Sequence, residues 1–288
     1  MNKSLLFLST LCMSAWAHTS ASDVCKLVQA PRDSFVVQLP FEVVDGRIYV
    51  QARVNDHGPF RFAIDTGASG LGRADATLVA ALGLKPQGKS ETSDGVQSAK
   101  VDTVRLDSLD LGGLARKDLE VITRNYGGSK GPAAFHGIVG REFFADGLLI
   151  LDYPNRTLSF SRSLSLPAAG EQILKYERAF RVPVSIGQVR TEGNLDTGAN
   201  VSFVLPQALY DKIGSAPLHQ AGQGTLTNTK VDTKRAVVGG PFRIGAAEVK
   251  DVDVRVSERF PELLVGAHVL QRYAVMIDQR ARSVALCP

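Results

Sequence analysis

The chain has 288 residues, 44% of them hydrophobic and 22% charged, with a mean hydropathy of zero. These values exclude disordered, fibrous and polytopic membrane proteins, and the length leaves room for two domains. The 33 basic and 29 acidic residues give a formal charge of +4 with no Lys/Arg block, so no nucleic acid partner is indicated.

The first element is the apolar run from Leu5 to Trp16, preceded by Asn2 and Lys3 and followed by small residues, as in Ala15-Trp16-Ala17 and Thr19-Ser20-Ala21. This is the composition of a secretory signal peptide, drawn at residues 1–21. The run is too short and too polar on its distal side for a membrane span, so no stable membrane insertion is expected after cleavage; an uncleaved anchor is the competing reading. Cys12 does not mark a lipoprotein, because bulky Leu11 stands where a lipobox carries a small residue. The mature chain would then be periplasmic or secreted, and in an oxidising compartment its two cysteines, Cys25 and Cys287, are expected to form a disulfide. Two unrelated free thiols are the alternative.

Next come strands. Ile48 to Val54 alternates, breaks at Asn55-Asp56-His57-Gly58-Pro59 and resumes as Phe60 to Ile64, the pattern of a hairpin. Asp45-Gly46 and Asp94-Gly95 are further hairpin turns. One short helix is expected in each half, Asp75 to Leu82 and Gln207 to Ile213.

Four blocks recur in order and at nearly constant spacing. Ile64-Asp65-Thr66-Gly67-Ala68-Ser69 returns as Leu195-Asp196-Thr197-Gly198-Ala199-Asn200. Leu111-Gly112 with Asp118 to Val121 returns as Ile244-Gly245 with Asp251 to Val254. Gly137-Ile138-Val139-Gly140 returns as Leu263-Leu264-Val265-Gly266, and Asp152 with Arg156 returns as Asp278 with Arg282. The spacing shortens where the first half carries an extra Gly/Ser/Lys-rich loop, Tyr126 to Phe135. Two copies of one domain follow, roughly residues 31 to 162 and 173 to 288, joined by Ser163 to Gly170. The expected organisation is a lobe at 22–165 and a lobe at 166–288, related by a pseudo-twofold axis. The fold class is all-β with minor short helices.

A lone Asp-Thr-Gly is usually a turn. Here each copy ends an apolar strand and is answered later by an apolar-apolar-Gly element. Phe60 to Ser69, Gly137 to Phe144 and Leu151-Asp152-Tyr153-Pro154 closely resemble bacterial exported retropepsin-like proteins, within the clan of aspartic peptidases that includes retropepsins and pepsins. The similarity covers nearly the whole mature chain, and the second half is less typical, with Gly193-Asn194 before Leu195-Asp196. It implies two acid-protease β-barrel lobes and an endopeptidase of the aspartic type whose catalytic pair is Asp65 and Asp196. One carboxylate would deprotonate water while the other, protonated, polarises the scissile carbonyl. By the same resemblance Thr66 and Thr197 reach across the axis to each other's backbone, Gly67 and Gly198 permit close approach, and the apolar-Gly strands form the floor.

A peptide or protein substrate would lie extended between the lobes beneath a hairpin flap. The flap candidates are Ser93 to Gln97, around Gly95, and Gln220 to Gly224, around Gly222; plain surface hairpins are the alternative. Neither carries the flap tyrosine of pepsins. Ala68 and Ala199 stand where pepsin-like enzymes carry a hydroxyl, so the dyad is expected to work at mildly acidic to near-neutral pH, unless Ser69 or Asn200 supplies the missing donor.

Other chemistries fail. Leu71 breaks a Gly-x-Ser-x-Gly elbow around Ser69. His57, His136, His219 and His268 have no metal-ligand spacing, and Asp152 and Asp278, which no Thr-Gly follows, read as turn acids. The histidine spacing implies no metal, and the absence of a phosphate loop or Gly-x-Gly-x-x-Gly motif leaves no cofactor expected. The protein is expected to be a monomer. An exported peptide-binding or scaffold protein that kept the cleft without turnover is the alternative function.

Overall fold

The computed structural model describes residues 22–126, 131–178, 180–213 and 216–288; the expected signal peptide, residues 1–21, lies outside them. Three sheets carry the architecture. In the strand Arg47–Val54, Ile48, Val50, Ala52 and Val54 are buried while Gln51 and Arg53 are exposed, the two-residue period of a sheet with one face on a core.

The eight-stranded sheet of the first lobe runs, in spatial order, Glu42–Val44, Arg47–Val54, His57–Ile64, Gly137–Val139, Gly72–Asp75, Leu114–Arg124, Ser98–Leu111 and Gly88–Ser93. A further pairing sets Arg53 opposite Asp110 and Val54 opposite Leu109, which curls the sheet back on itself. The nine-stranded sheet of the second lobe repeats the central plan. His57–Ile64 runs parallel to Gly137–Val139, with Ile64 beside Val139, and Val189–Asp196 runs parallel to Leu263–Gly266, with Asp196 beside Gly266. The chain therefore is all-β, in two lobes built on one pattern.

The third sheet, of six strands, joins the halves. Leu148–Asp152 pairs antiparallel with Ala274–Asp278, so that Ile150 faces Met276. Beneath this sheet Val24, Phe35, Leu148, Ile150, Leu166, Met276 and Ala285 form a separate apolar cluster. Cys25 and Cys287 are disulfide-bonded with their Cα atoms 5.6 Å apart, tying the N-terminal segment to the last strand. Asp152 and Asp278 close equivalent turns at the ends of the paired strands: Asp152 accepts from the Asn155 N–H at 3.1 Å and Asp278 from the Ala281 N–H at 3.3 Å.

Two local expectations change and one holds. The break after Val54 is only Asn55-Asp56, both at positive φ, and the strand resumes at His57, so Gly58 and Pro59 lie within it. The expected helices are present at Ala76–Ala81, capped by the Asp75 side chain, and at Gln207–Ile213. Each lobe also has an unexpected helical turn after its apolar-Gly strand, Arg141–Phe144 and Ala267–Leu270. Four residues are too few to show a 3.6-residue period.

Candidate active site

The two Asp-Thr-Gly segments leave the ends of His57–Ile64 and Val189–Asp196 and meet where the lobes join. Each strand end is set by its parallel neighbour: the Asp65 N–H donates to the Val139 carbonyl at 3.1 Å, and Asp196 lies in register with Gly266. Gly140 and Gly266 are glycines for a steric reason. A Cβ on Gly140 would sit 3.0 Å from the Ala68 carbonyl oxygen, and one on Gly266 would sit 2.8 Å from that of Ala199. The repeated apolar-Gly pattern thus lets the aspartate loop rest directly on the floor strand.

Thr66 and Thr197 are fully buried and cross-linked. The Thr66 N–H donates to Thr197 Oγ1 at 3.1 Å, and the Thr197 N–H to Thr66 Oγ1 at 3.0 Å. Each hydroxyl passes its own proton back across the junction, Thr66 to the Leu195 carbonyl and Thr197 to that of Ile64, both at 2.9 Å. Four hydrogen bonds lock the loops together with no buried donor left over.

This lock places each carboxylate over the other loop's glycine. A Cβ on Gly67 would fall 2.5 Å from Asp196 Oδ2, and one on Gly198 would fall 2.6 Å from Asp65 Oδ2. Any side chain at either glycine would displace the opposite carboxylate. Asp65 Oδ1 accepts from the Ala68 N–H at 2.9 Å, and Asp196 Oδ1 from the Gly198 N–H at 2.8 Å. Burial, reinforced by the charge of Asp65, holds the Asp196 carboxyl well above the usual carboxylate range; the Gly198 N–H and Arg47 oppose this. Two carboxyls so close cannot both ionise cheaply, so the pair retains a proton that belongs to both. An acid and a base are thereby available at one spot.

Of the other expected residues, Gly95 sits in the turn between Gly88–Ser93 and Ser98–Leu111 at φ +84°, where only glycine is unstrained. Gly222 is not at a hairpin tip. It lies within the strand His219–Thr225, at a bulge between Gln220 and Gln223, and its φ of +74° serves that bulge. The tip of that hairpin is Leu226-Thr227-Asn228-Thr229, closed by the Leu226 N–H to the Thr229 carbonyl at 2.8 Å. Ser69 is exposed, and Asn200 is engaged by Arg47 and Asp45, so neither supplies a donor to the dyad. Cys287 ends the last strand of the interlobe sheet and holds Cys25 against it.

Two groups of residues near the site carry no recognisable signal in the sequence. Arg47 reaches from the first lobe to the second, donating Nε to the Gly198 carbonyl at 2.7 Å and Nη2 to Asn200 Oδ1 at 3.0 Å. Asp45 receives Asn200 Nδ2 at 2.6 Å and contacts His268 Nε2 at 2.8 Å, and these partners hold its carboxyl below the usual range. The other group is the tip of the second-lobe hairpin, which docks on the first-lobe turn through Asn228. Among the described residues, no three His, Cys, Asp or Glu side chains converge as metal ligands.

A family model described as aspartyl protease matches residues 50–143 and 182–269, one segment in each lobe and each containing one Asp-Thr-Gly. No curated protein matches the chain.

Proposed function

Because the chain belongs to the aspartyl protease family, we propose that it is an aspartic endopeptidase that hydrolyses peptide bonds between Asp65 and Asp196. The observation that carries this reading is the exchange at the lobe junction, where the crossed Thr66 and Thr197 bonds bring one carboxylate from each lobe over the other's glycine. With one proton on the pair, the ionised carboxylate takes a proton from water as that water attacks the scissile carbonyl. The protonated carboxyl donates to the carbonyl oxygen as its charge develops. The proton gained by the base then passes to the leaving nitrogen as the C–N bond breaks, while the other carboxylate takes back a proton from a hydroxyl of the collapsing tetrahedral diol, so the products are an amine and a carboxylic acid and the pair again holds one proton. The rigid threonine lock keeps both carboxyls in reach of one substrate atom, the positioning on which such catalysis depends.

The substrate in this proposal is an extended peptide held between the lobes, with the turn Asp94 to Gln97 as its flap. We further assign the protein to an exported compartment, for which the signal-like N-terminus and the Cys25–Cys287 bond are the support, and to a monomeric state, for which the support is that one chain carries both Asp-Thr-Gly segments.

The test is incubation of purified mature protein with a diverse peptide mixture across pH, with the products sequenced by mass spectrometry. Asp65→Asn and Asp196→Asn should each lower cleavage on the order of 10³-fold or more while the protein stays folded, and the double variant should add little. Full activity in either single variant would overturn the mechanism. Peptide binding without cleavage by the unaltered protein would favour a receptor.

A further inference from the structure

Arg73 and Arg124 stand side by side on one face of the first-lobe sheet. The strands Gly72–Asp75 and Leu114–Arg124 are parallel, with Arg73 opposite Ile122, so Arg124, two residues on, projects from the same face. Arg73 is only 6% exposed and Arg124 is half-buried. Their partners are neutral oxygens at the tip of the second-lobe hairpin. Arg73 Nη1 donates to Thr227 Oγ1 at 3.3 Å, and Arg124 Nη1 to the Thr227 carbonyl at 3.0 Å; Arg124 Nη2 donates to Asn228 Oδ1.

Among the described residues neither guanidinium forms an ion pair with a carboxylate. The Nε of both is buried and has no hydrogen-bond partner among those residues. The nearest acids make no ion pair with either arginine, although Asp75 lies in register with Arg124 on the adjacent strand and brings a negative charge close by. Asp75 accepts from the Thr77 N–H and hydroxyl and from the Tyr126 N–H, and Asp94 accepts from the N–H groups of Val96, Gln97 and Asn228. Two like charges drawn together, one of them buried, with only neutral hydrogen-bond acceptors and one nearby carboxylate between them, form an arrangement that an incoming anion would relieve.

The pair also lies on the dyad's side of the lobe. Tyr126 sets its buried hydroxyl, a further neutral neighbour, against the Arg73 guanidinium and is within electrostatic reach of Arg124 and Asp65. Its ring packs on Phe135 at 5.4 Å, in the apolar cluster that contains Ala68, three residues after Asp65. A chain passing between the lobes would meet this apolar cluster and the arginine pair together.

The geometry points to Arg73 and Arg124 as a subsite for a carboxylate of the peptide substrate, which makes the protein selective for acidic peptides. Guanidinium forks suit a planar carboxylate bidentately, and the buried setting strengthens the contact. The inference rests on the peptidase reading of the same cleft, but its test does not depend on turnover. The carboxylate can belong to an Asp or Glu side chain or to a peptide C-terminus.

The probes are matched peptides of one sequence. One set carries Glu or Gln at each successive position with an amidated end; the other has no acidic residue and ends in a free carboxylate or an amide. Binding is measured by fluorescence anisotropy on full mature Asp196→Asn protein, and cleavage of the same peptides on unaltered protein. At one position Glu should bind on the order of tenfold tighter than Gln, with the difference shrinking as salt rises. Arg124→Glu should abolish or reverse that preference and favour a Lys peptide; Arg124→Gln, a milder change, should abolish it without reversal and covers the case where the reversed charge prevents folding. A preference confined to the free C-terminus would assign the subsite to the terminal carboxylate. Equal binding of acidic and neutral peptides in both sets would overturn the proposal. If acidic peptides bind selectively and none is cleaved, the subsite stands and the peptidase reading fails.

Discussion

Asn228, at the tip of the second-lobe hairpin, is seated in the first-lobe turn that begins at Asp94. Its N–H donates to Asp94 Oδ2 at 2.7 Å, while its side-chain amide donates to the carbonyls of Thr92 at 2.9 Å and Gln97 at 2.7 Å. The turn itself is held by Asp94 Oδ1, which accepts from the N–H groups of Val96 and Gln97. One residue of one lobe thus secures the candidate flap of the other. Under the proposed function, a peptide entering beneath the flap would pass while these bonds are open.

Asn228→Ala removes the two side-chain bonds and leaves the N–H contact. At about 0.5–1.5 kcal/mol per bond, the local opening equilibrium of the flap should rise on the order of tenfold. Hydrogen–deuterium exchange over residues 92–98 measures this directly. Unchanged protection there would show that the flap is held by its own turn and not by the second lobe.

The raised Asp196 carboxyl carries a stability consequence with a definite sign. A folded-state pKa above the unfolded value means that the folded protein holds the proton more tightly, so stability falls as pH rises from the ordinary carboxylate range through the raised value. Asp196→Asn cannot ionise. It should raise Tm at about pH 7 and lose that advantage below about pH 4, where Asp196 is protonated in both states. Thermal unfolding of both proteins from acid to neutral pH checks it; a difference independent of pH would contradict the assignment.

Ala68 and Ala199 bear on activity. No hydroxyl follows either Gly, and neither Ser69 nor Asn200 substitutes for one, so among the described residues the hydrogen bonds to the dyad carboxylates from protein donors come from the backbone N–H groups of Ala68 and Gly198. The rate profile should be bell-shaped, with its maximum at mildly acidic to near-neutral pH. Ala68→Ser and Ala199→Thr each add a donor that favours the charged form, and each should shift the acid limb to lower pH. A maximum in strong acid, or limbs that stay in place in both variants, would refute this account.

The Cys25–Cys287 bond joins residues 262 apart in sequence, across the apolar cluster under the interlobe sheet. Peptide mapping of the exported protein without reductant should recover the two cysteines in one linked pair. Reduction should lower Tm, by an amount bounded at roughly 5 kcal/mol of stability in the chain-entropy model. Free thiols in that map would leave the N-terminal segment held by packing alone.

Much of this molecule was legible in its sequence because the information is local and written twice. An apolar strand running into Asp-Thr-Gly and an apolar-apolar-Gly strand later are short covalent patterns, and their repetition separates a paired site from an ordinary turn. Asp65 and Asp196 stand out on that ground, and the family resemblance that the repeat carries adds Thr66 and Thr197. Local pattern also misled: a glycine at positive φ serves a hairpin turn and a β-bulge equally well, and Gly95 is in the first while Gly222 is in the second. Only the packing of one lobe on the other decided which turn meets which. Arg47 on Gly198, Asn228 on Asp94, and Arg73 with Arg124 at Thr227 link residues more than a hundred positions apart. No periodicity or spacing encodes such meetings, because they depend on the angle between two sheets, which the sum of many buried contacts sets and no single motif does.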